Sequence, residues 1–261
     1  MRQFWIFLKR EWMEQVRGFK LIWVPLVFIF FGALEPLTYH FMPQILESVG
    51  NLPDGAEFNL PDMTGGDILM SLTGQYQMIG TLVLVLAFMA ALSGERKSGA
   101  GTLLYVRPIS YAAYFTSKWL SASLLGTLSV WLGYGMAMTY VIQLYDRYPD
   151  AGSIMRFLAV YSIWILLVIT LTVAASAALP TGGAAGAALG ILFIGQIVQG
   201  MFGSHWTWSP WKLPEYGMAF LDGGPETGGL TGAVAVSAVL IFLLVVFGSV
   251  AARRNASRAK V

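Results

Sequence analysis

Gly94 and Gly99 stand at the spacing of a phosphate-cradling loop, GxxxxGK[ST], in which the lysine reaches the phosphates and the hydroxyl holds magnesium. Ala100 and Gly101 occupy those two positions here, so the chain binds no nucleotide by that route and the glycine pair reads as a flexible helix exit. Other chemistry is equally thin. Cysteine is absent, which removes disulfides and thiolate metal sites, and two histidines, His40 and His205, are too few for a protein-only zinc site. No Ser/His/Asp set and no spaced pair of acids appears within the apolar segments. The chain is therefore expected to be no enzyme and to hold no cofactor or metal of its own. One acid, Glu35, lies inside an apolar run, where an ionised carboxylate costs several kcal/mol and marks a candidate path or gate. Its place near the end of that run sets solvation at the headgroups, or a Trp from the 203–229 segment, against that reading. Gln196, Gln199, Thr170 and Thr172 suit hydrogen bonds between helices.

The elements that must carry these groups are lipid-solvated helices. Of 261 residues 56% are apolar and 11% charged, against about 25% charged in a soluble domain. Six apolar runs, at about 21–39, 77–93, 119–141, 157–179, 184–202 and 230–251, are each long enough or nearly so to cross a bilayer. The expectation is an all-α membrane protein, one six-span domain over 21–251 followed by a basic tail at 252–261. Residues 1–20 are not a cleaved signal, because charge continues through Lys20 and no cleavage site follows. They place Phe4, Trp5, Leu8, Trp12, Val16 and Phe19 on one side of a helical wheel and most cations on the other, which suits an interfacial amphipathic helix. Pro36 predicts a kink in the first span. Residues 40–76 are read as an outer loop.

Charge sets the orientation. Of the 16 Lys and Arg, all but Arg147, Arg156 and Lys212 fall on the side that carries both termini, whereas of the acids only Glu11, Glu14 and Glu95 do. Short cytoplasmic segments are rich in Lys and Arg, so both termini and the 94–118 loop are expected inside a bacterial cytoplasmic membrane. The net charge of +2 is too small and too spread to suggest a nucleic-acid partner. Pro180 to Gly183 alone separates the fourth run from the fifth, which predicts a tight hairpin. Gly182, Gly186 and Gly190 recur every fourth residue and make a smooth face, for the fourth span or for a second chain.

The segment ERKSGAGTLLYVRPISYAAYFTSK, with an acid closing one span, a Thr-Leu-Leu run, a proline stop and a lysine opening the next span, resembles the cytoplasmic loop of ABC-2 type transporter permeases. The resemblance implies that Glu95, Gly99, Thr102, Leu103, Leu104, Tyr105, Arg107 and Pro108 belong to a coupling segment whose short helix docks on an ATPase subunit. The Gly-Ala-Gly run at 99–101 departs from the commonest spacing of that pattern. It further implies a permease subunit of an ATP-driven exporter, ATP and magnesium held by the partner, and a second permease chain, identical or homologous. A secondary transporter is the rival reading and would show ionisable groups near the midplane or paired broken helices. A non-catalytic scaffold or sensor fits the composition as well.

Overall fold

The computed structural model of the protein describes residues 2–49, 63–98, 110–222 and 228–258. Among the described residues the chain is helical throughout, and six helical stretches are long and apolar enough to cross a membrane: Lys20–Ile45, Gly65–Lys97, Tyr111–Leu144, Ala151–Ala178, Thr181–Phe202 and Leu230–Asn255. Helix α1 (Arg2–Arg17) precedes the first span and ends in basic Arg17. It turns into α2 (Lys20–Val49) through Gly18 and Phe19, the latter in the left-handed region at φ 55°. That conformation costs a non-glycine residue roughly 1–2 kcal/mol, so the corner is set by the packing on either side of it.

Where it is described, at 40–49 and 63–76, the predicted outer loop is largely helix. Helix α2 runs on through Pro36 and Pro43, and α3 (Gly65–Gln75) starts at a capping box in which Thr64 accepts from Asp67 N and the Asp67 side chain accepts from Thr64 N. Gly65 and Asp67, the composition of a loop, are here the composition of a helix start. A π turn at Tyr76–Gly80 joins α3 to α4 (Thr81–Phe88), and α5 (Ser93–Lys97) closes the second span. The third span is α6 (Tyr111–Leu144), capped by Ser110, whose hydroxyl accepts from Ala113 N at 3.3 Å. Asp150 caps α7 (Ala151–Ala178), and α8 (Thr181–Phe202) follows after Leu179 and Pro180. A 3₁₀ turn at Pro210–Lys212 and α9 (Leu213–Ala219) fold between the fifth span and α10 (Leu230–Arg258).

The fourth span is the hub. Its most apolar stretch is 78% buried within the chain, against 17% for the fifth and sixth spans. The closest approach is between the first and third spans, where a Cβ built on Gly32 would overlap the Gly133 carbonyl. The sequence reading gave a close-packing face to Gly182, Gly186 and Gly190, for the fourth span or for a second chain. A Cβ on any of those three meets nothing within 4 Å, and the fifth span packs into the bundle through Ala184, Ala188 and Leu192 instead. The hairpin of spans four and five forms, on a neighbouring stripe of the same small-residue helix.

Candidate functional site

Glu95 sits in α5 at the end of the second span and is buried. Lys118 lies two turns inside α6, also buried, where its ammonium must find carboxylates or be lost to desolvation. It finds two: Glu11 Oε1 at 2.6 Å, from α1, and Glu95 Oε1 at 3.0 Å. Arg10 of α1 adds a bond to Glu95 Oε1 at 2.9 Å, and Tyr114 donates to Glu95 Oε2. Three separate elements are thereby tied at one point. Tyr114 also packs edge-on against Phe7 of α1 and lies under the Lys118 ammonium.

The wheel of α1 explains how an acid comes to face the bundle. Phe7, Leu8, Glu11 and Gln15 form its inward stripe, while Trp5, Val16 and Phe19 are exposed. The helix thus leaves Trp5 exposed and turns Glu11 to the protein. Burial pushes the Glu11 carboxyl above its ordinary range, with the Lys118 ammonium opposing that rise and Glu14 and Glu95 adding to it. Carboxylate oxygens of Glu11, Glu14 and Glu95 lie within 4.8 Å of one another. The Lys118 ammonium bonds two of these acids, supplying the positive charge a metal would otherwise bring.

Arg96 points the other way. Its guanidinium donates to Ser176 O at 2.9 Å, to Leu179 O at 2.5 Å and to Ala177 O, covering the last carbonyls of α7, where a cation is favoured. Leu92 N and Ser93 N donate to Ser176 Oγ, and Asn255 of the sixth span donates to Ala177 O at 2.7 Å. Consecutive residues Glu95 and Arg96 therefore brace the mouth of the 94–118 loop on two sides, Glu95 toward α1 and α6 and Arg96 toward the end of α7, where Asn255 of α10 also bonds. Ser110 N, near the other end of the loop, donates to Gln3 Oε1 of α1 at 3.1 Å.

Of the coupling residues read from the sequence, the structure brings Glu95 into this cluster; Gly99, Thr102, Leu103, Leu104, Tyr105, Arg107 and Pro108 lie outside the described residues. Glu35 is elsewhere, half-buried just past the middle of the first span, whose helix continues beyond the expected end near residue 39, and it accepts from Ser71 Oγ at 2.5 Å. Ser71, within hydrogen-bonding distance of Tyr39 as well, satisfies it, and not a tryptophan of the 203–229 segment. Sequence reasoning missed Glu11, Lys118 and Tyr114 as one constellation. The signal was an acid on the inner stripe of an amphipathic helix and a lysine inside a span, two charges that each require a partner.

Among the described residues the chain is a polytopic all-helical bundle with a charged cluster bracing one end. The chain belongs to the ABC-2 family transporter proteins, whose family pattern matches residues 5–209. It is also 31% identical over 244 residues to an uncharacterized transmembrane protein, YxlG, of Bacillus subtilis (strain 168), across 92% of this chain and 93% of that one. Membership makes it a multi-pass membrane protein and implies the permease component of an ABC transporter, associated with an ABC ATPase subunit.

Proposed function

We propose that this chain is the permease subunit of an ATP-driven exporter, coupled to its ATPase through the 94–118 loop. Both termini and the loop lie on the cytoplasmic side of a bacterial cytoplasmic membrane, in keeping with the cation distribution. ATP and magnesium belong to the partner. The docking residues are Gly99, Thr102, Leu103, Leu104, Tyr105, Arg107 and Pro108, and a second permease chain, identical or homologous, meets this one along the open Gly182, Gly186 and Gly190 face. The observation that carries the reading is the Glu95–Lys118 pair. It joins the residues on both sides of the loop to each other and, through Glu11 and Arg10, to α1. A push on the loop is then delivered to the second span, the third span and α1 as one body, the rigid-body displacement a gate needs.

The test is co-purification of the tagged chain from its native membrane. An ATP-hydrolysing soluble protein should come with it, and replacing residues 101–108 with a Gly/Ser linker should abolish recovery while the chain still inserts. Undiminished recovery of the ATPase with the linker variant would sink the loop as the coupling element.

A further inference from the structure

Glu35 is the acid within a span that the charged cluster at the other end does not use. It lies about 15 Å along the helix from Ile45, ten residues further on in the first span at 1.5 Å each. Ser71 Oγ donates to Glu35 Oε1 at 2.5 Å, and the Tyr39 hydroxyl lies 3.2 Å from Ser71 Oγ. Because the Ser71 hydrogen is committed to the carboxylate, Tyr39 is the donor to Ser71, and the bonds run in one direction, toward Glu35. Hydroxyls solvate a carboxylate without cancelling its charge, and inside a span the charge is the larger cost. Three cations lie in the far half, and among the described residues none pairs with Glu35. Arg156 bonds the Gly152 carbonyl and the Ser153 hydroxyl, Lys212 bonds the Gly203 carbonyl, and exposed Arg147 stands beside the start of α3, where its carbonyl accepts from Gly65 N. Glu35 Oε2 has no donor among the described residues, and Glu35, Tyr39 and Ser71 each keep part of their surface open.

We propose that Glu35, with Ser71 and Tyr39, binds the ammonium group of a cationic amphiphile. The open carboxylate oxygen accepts an N–H of the ligand in a charge-assisted bond, and the ligand brings the counter-charge that the chain does not supply. Tyr39, one turn on from Glu35, adds an aromatic ring, the surface on which an organic cation is favoured. Exposed Phe30 and Leu34, on the same helix, offer the ligand's hydrocarbon an apolar track. On the α3 side Gly74 is exposed and a Cβ built on it meets nothing within 4 Å, so the approach beside Ser71 is clear. A divalent metal ion would take six or more oxygens, whereas the acids that group at ligand distance among the described residues are Glu11, Glu14 and Glu95, without Glu35. The sequence from 40 to 76, which joins the two helices that hold the site, has five acids and no Lys or Arg, a field that draws cations to that mouth. The site stands on its own geometry; that the bound cation is cargo rests on the permease reading.

The experiment uses decylammonium bearing a diazirine on its chain, mixed with the purified full-length chain in a neutral detergent and irradiated, with decanol bearing the same diazirine as its uncharged twin. Ammonium label should map to peptides containing Leu34–Tyr39 and Met70–Gly74. Glu35→Gln, which keeps the shape and the bond from Ser71, should lower that label at sub-saturating probe by about tenfold or more, the worth of one hydrogen bond to a charged group. The alcohol twin should label wild type and Glu35→Gln equally weakly. Unlabelled decylammonium should compete, and sodium chloride at the same concentration should not. Equal ammonium labelling of wild type and Glu35→Gln overturns the proposal, as does equal labelling of wild type by the two twins. Competition by sodium overturns it as well, because the site would then take an inorganic cation. Comparison of the twins on wild type needs no variant and decides the matter even where Glu35→Gln does not fold. With the ATPase partner present, Mg-ATP should deplete the ammonium label; a label that Mg-ATP leaves unchanged removes the cargo assignment and not the site.

Discussion

The two halves of this bundle are held by different physics. At the end bearing the termini, ammonium, guanidinium and carboxylates converge: Lys118 on Glu11 and Glu95, and Arg10 on Glu95. Around Tyr134 in the far half the ties are neutral and short-range. Tyr76 donates to Phe28 O at 2.5 Å, Thr73 and Tyr134 share a hydrogen bond of 2.8 Å, and Tyr134 meets Phe157 edge-on at 4.9 Å between ring centres. Neutral hydrogen bonds and ring packing are directional and fix one geometry. Charges on long side chains attract over a range of positions, so the cluster stays joined as its three helices shift together. Under the proposed function the moving body is the end that meets the 94–118 loop, and the rigid frame is the half that surrounds Tyr134.

The largest expected effect breaks the ionic end. Lys118→Met leaves Glu11 buried without its cation and Glu95 with Arg10 alone, and removing one partner of a buried pair costs about 3–5 kcal/mol. Thermal unfolding of the purified chain should shift down accordingly. Adding Glu11→Gln and Glu95→Gln should recover most of the loss, because the uncompensated charge is then gone. If Lys118→Met alone is as mild as a surface substitution, charge does not hold this end.

The far half is sharpened by a glycine pair. Gly32→Ala would drive a methyl into the Gly133 carbonyl, a backbone atom that cannot swing aside, and overpacking of this kind costs about 1–3 kcal/mol. Gly186→Ala, with nothing within 4 Å, should leave the stability of the single chain unchanged. Comparison of the two unfolding temperatures measures packing within the chain apart from packing between chains. Equal loss at both positions would show that the Gly182–Gly190 face is covered in the purified form.

Much of the frame was legible in the sequence. Six spans follow from hydropathy because lipid forces every backbone group into a helix. The hairpin at Pro180 and the Ser110 cap follow from local rules that the structure keeps. What was not legible depends on pairing across the chain. Gly32 and Gly133 are 101 positions apart, Gly32 alone in its span and Gly133 between Gly126 and Gly135 in the other, and no four-residue repeat marks them. The Gly182 repeat is conspicuous and yet points away from its own bundle, since spacing defines a face and not its occupant. The outer segment around Thr64 was misread because capping residues and loop residues are the same residues. Glu95 was found through its motif, but its partners Glu11 and Lys118 lie 84 positions before and 23 after it, and only the fold brings them within bonding distance.

The smallest effect bears on the sign of the charge cluster. Burial holds the Glu11 carboxyl above its ordinary range and outweighs the attraction of Lys118. The folded chain therefore keeps this proton to higher pH than the unfolded chain does. The stability it contributes is complete below the unfolded value, about 4.3, and is lost as pH rises through the folded one. Glu11→Gln is neutral throughout and removes that slope. The stability of wild type minus that of Glu11→Gln should fall as pH rises above about 4, read by thermal unfolding in one detergent at constant salt. A difference that grows with pH would mean that the Lys118 attraction exceeds the cost of burial. The basic end would then be a strong clasp, and the contrast with the far half would be one of chemistry alone and not of readiness to move.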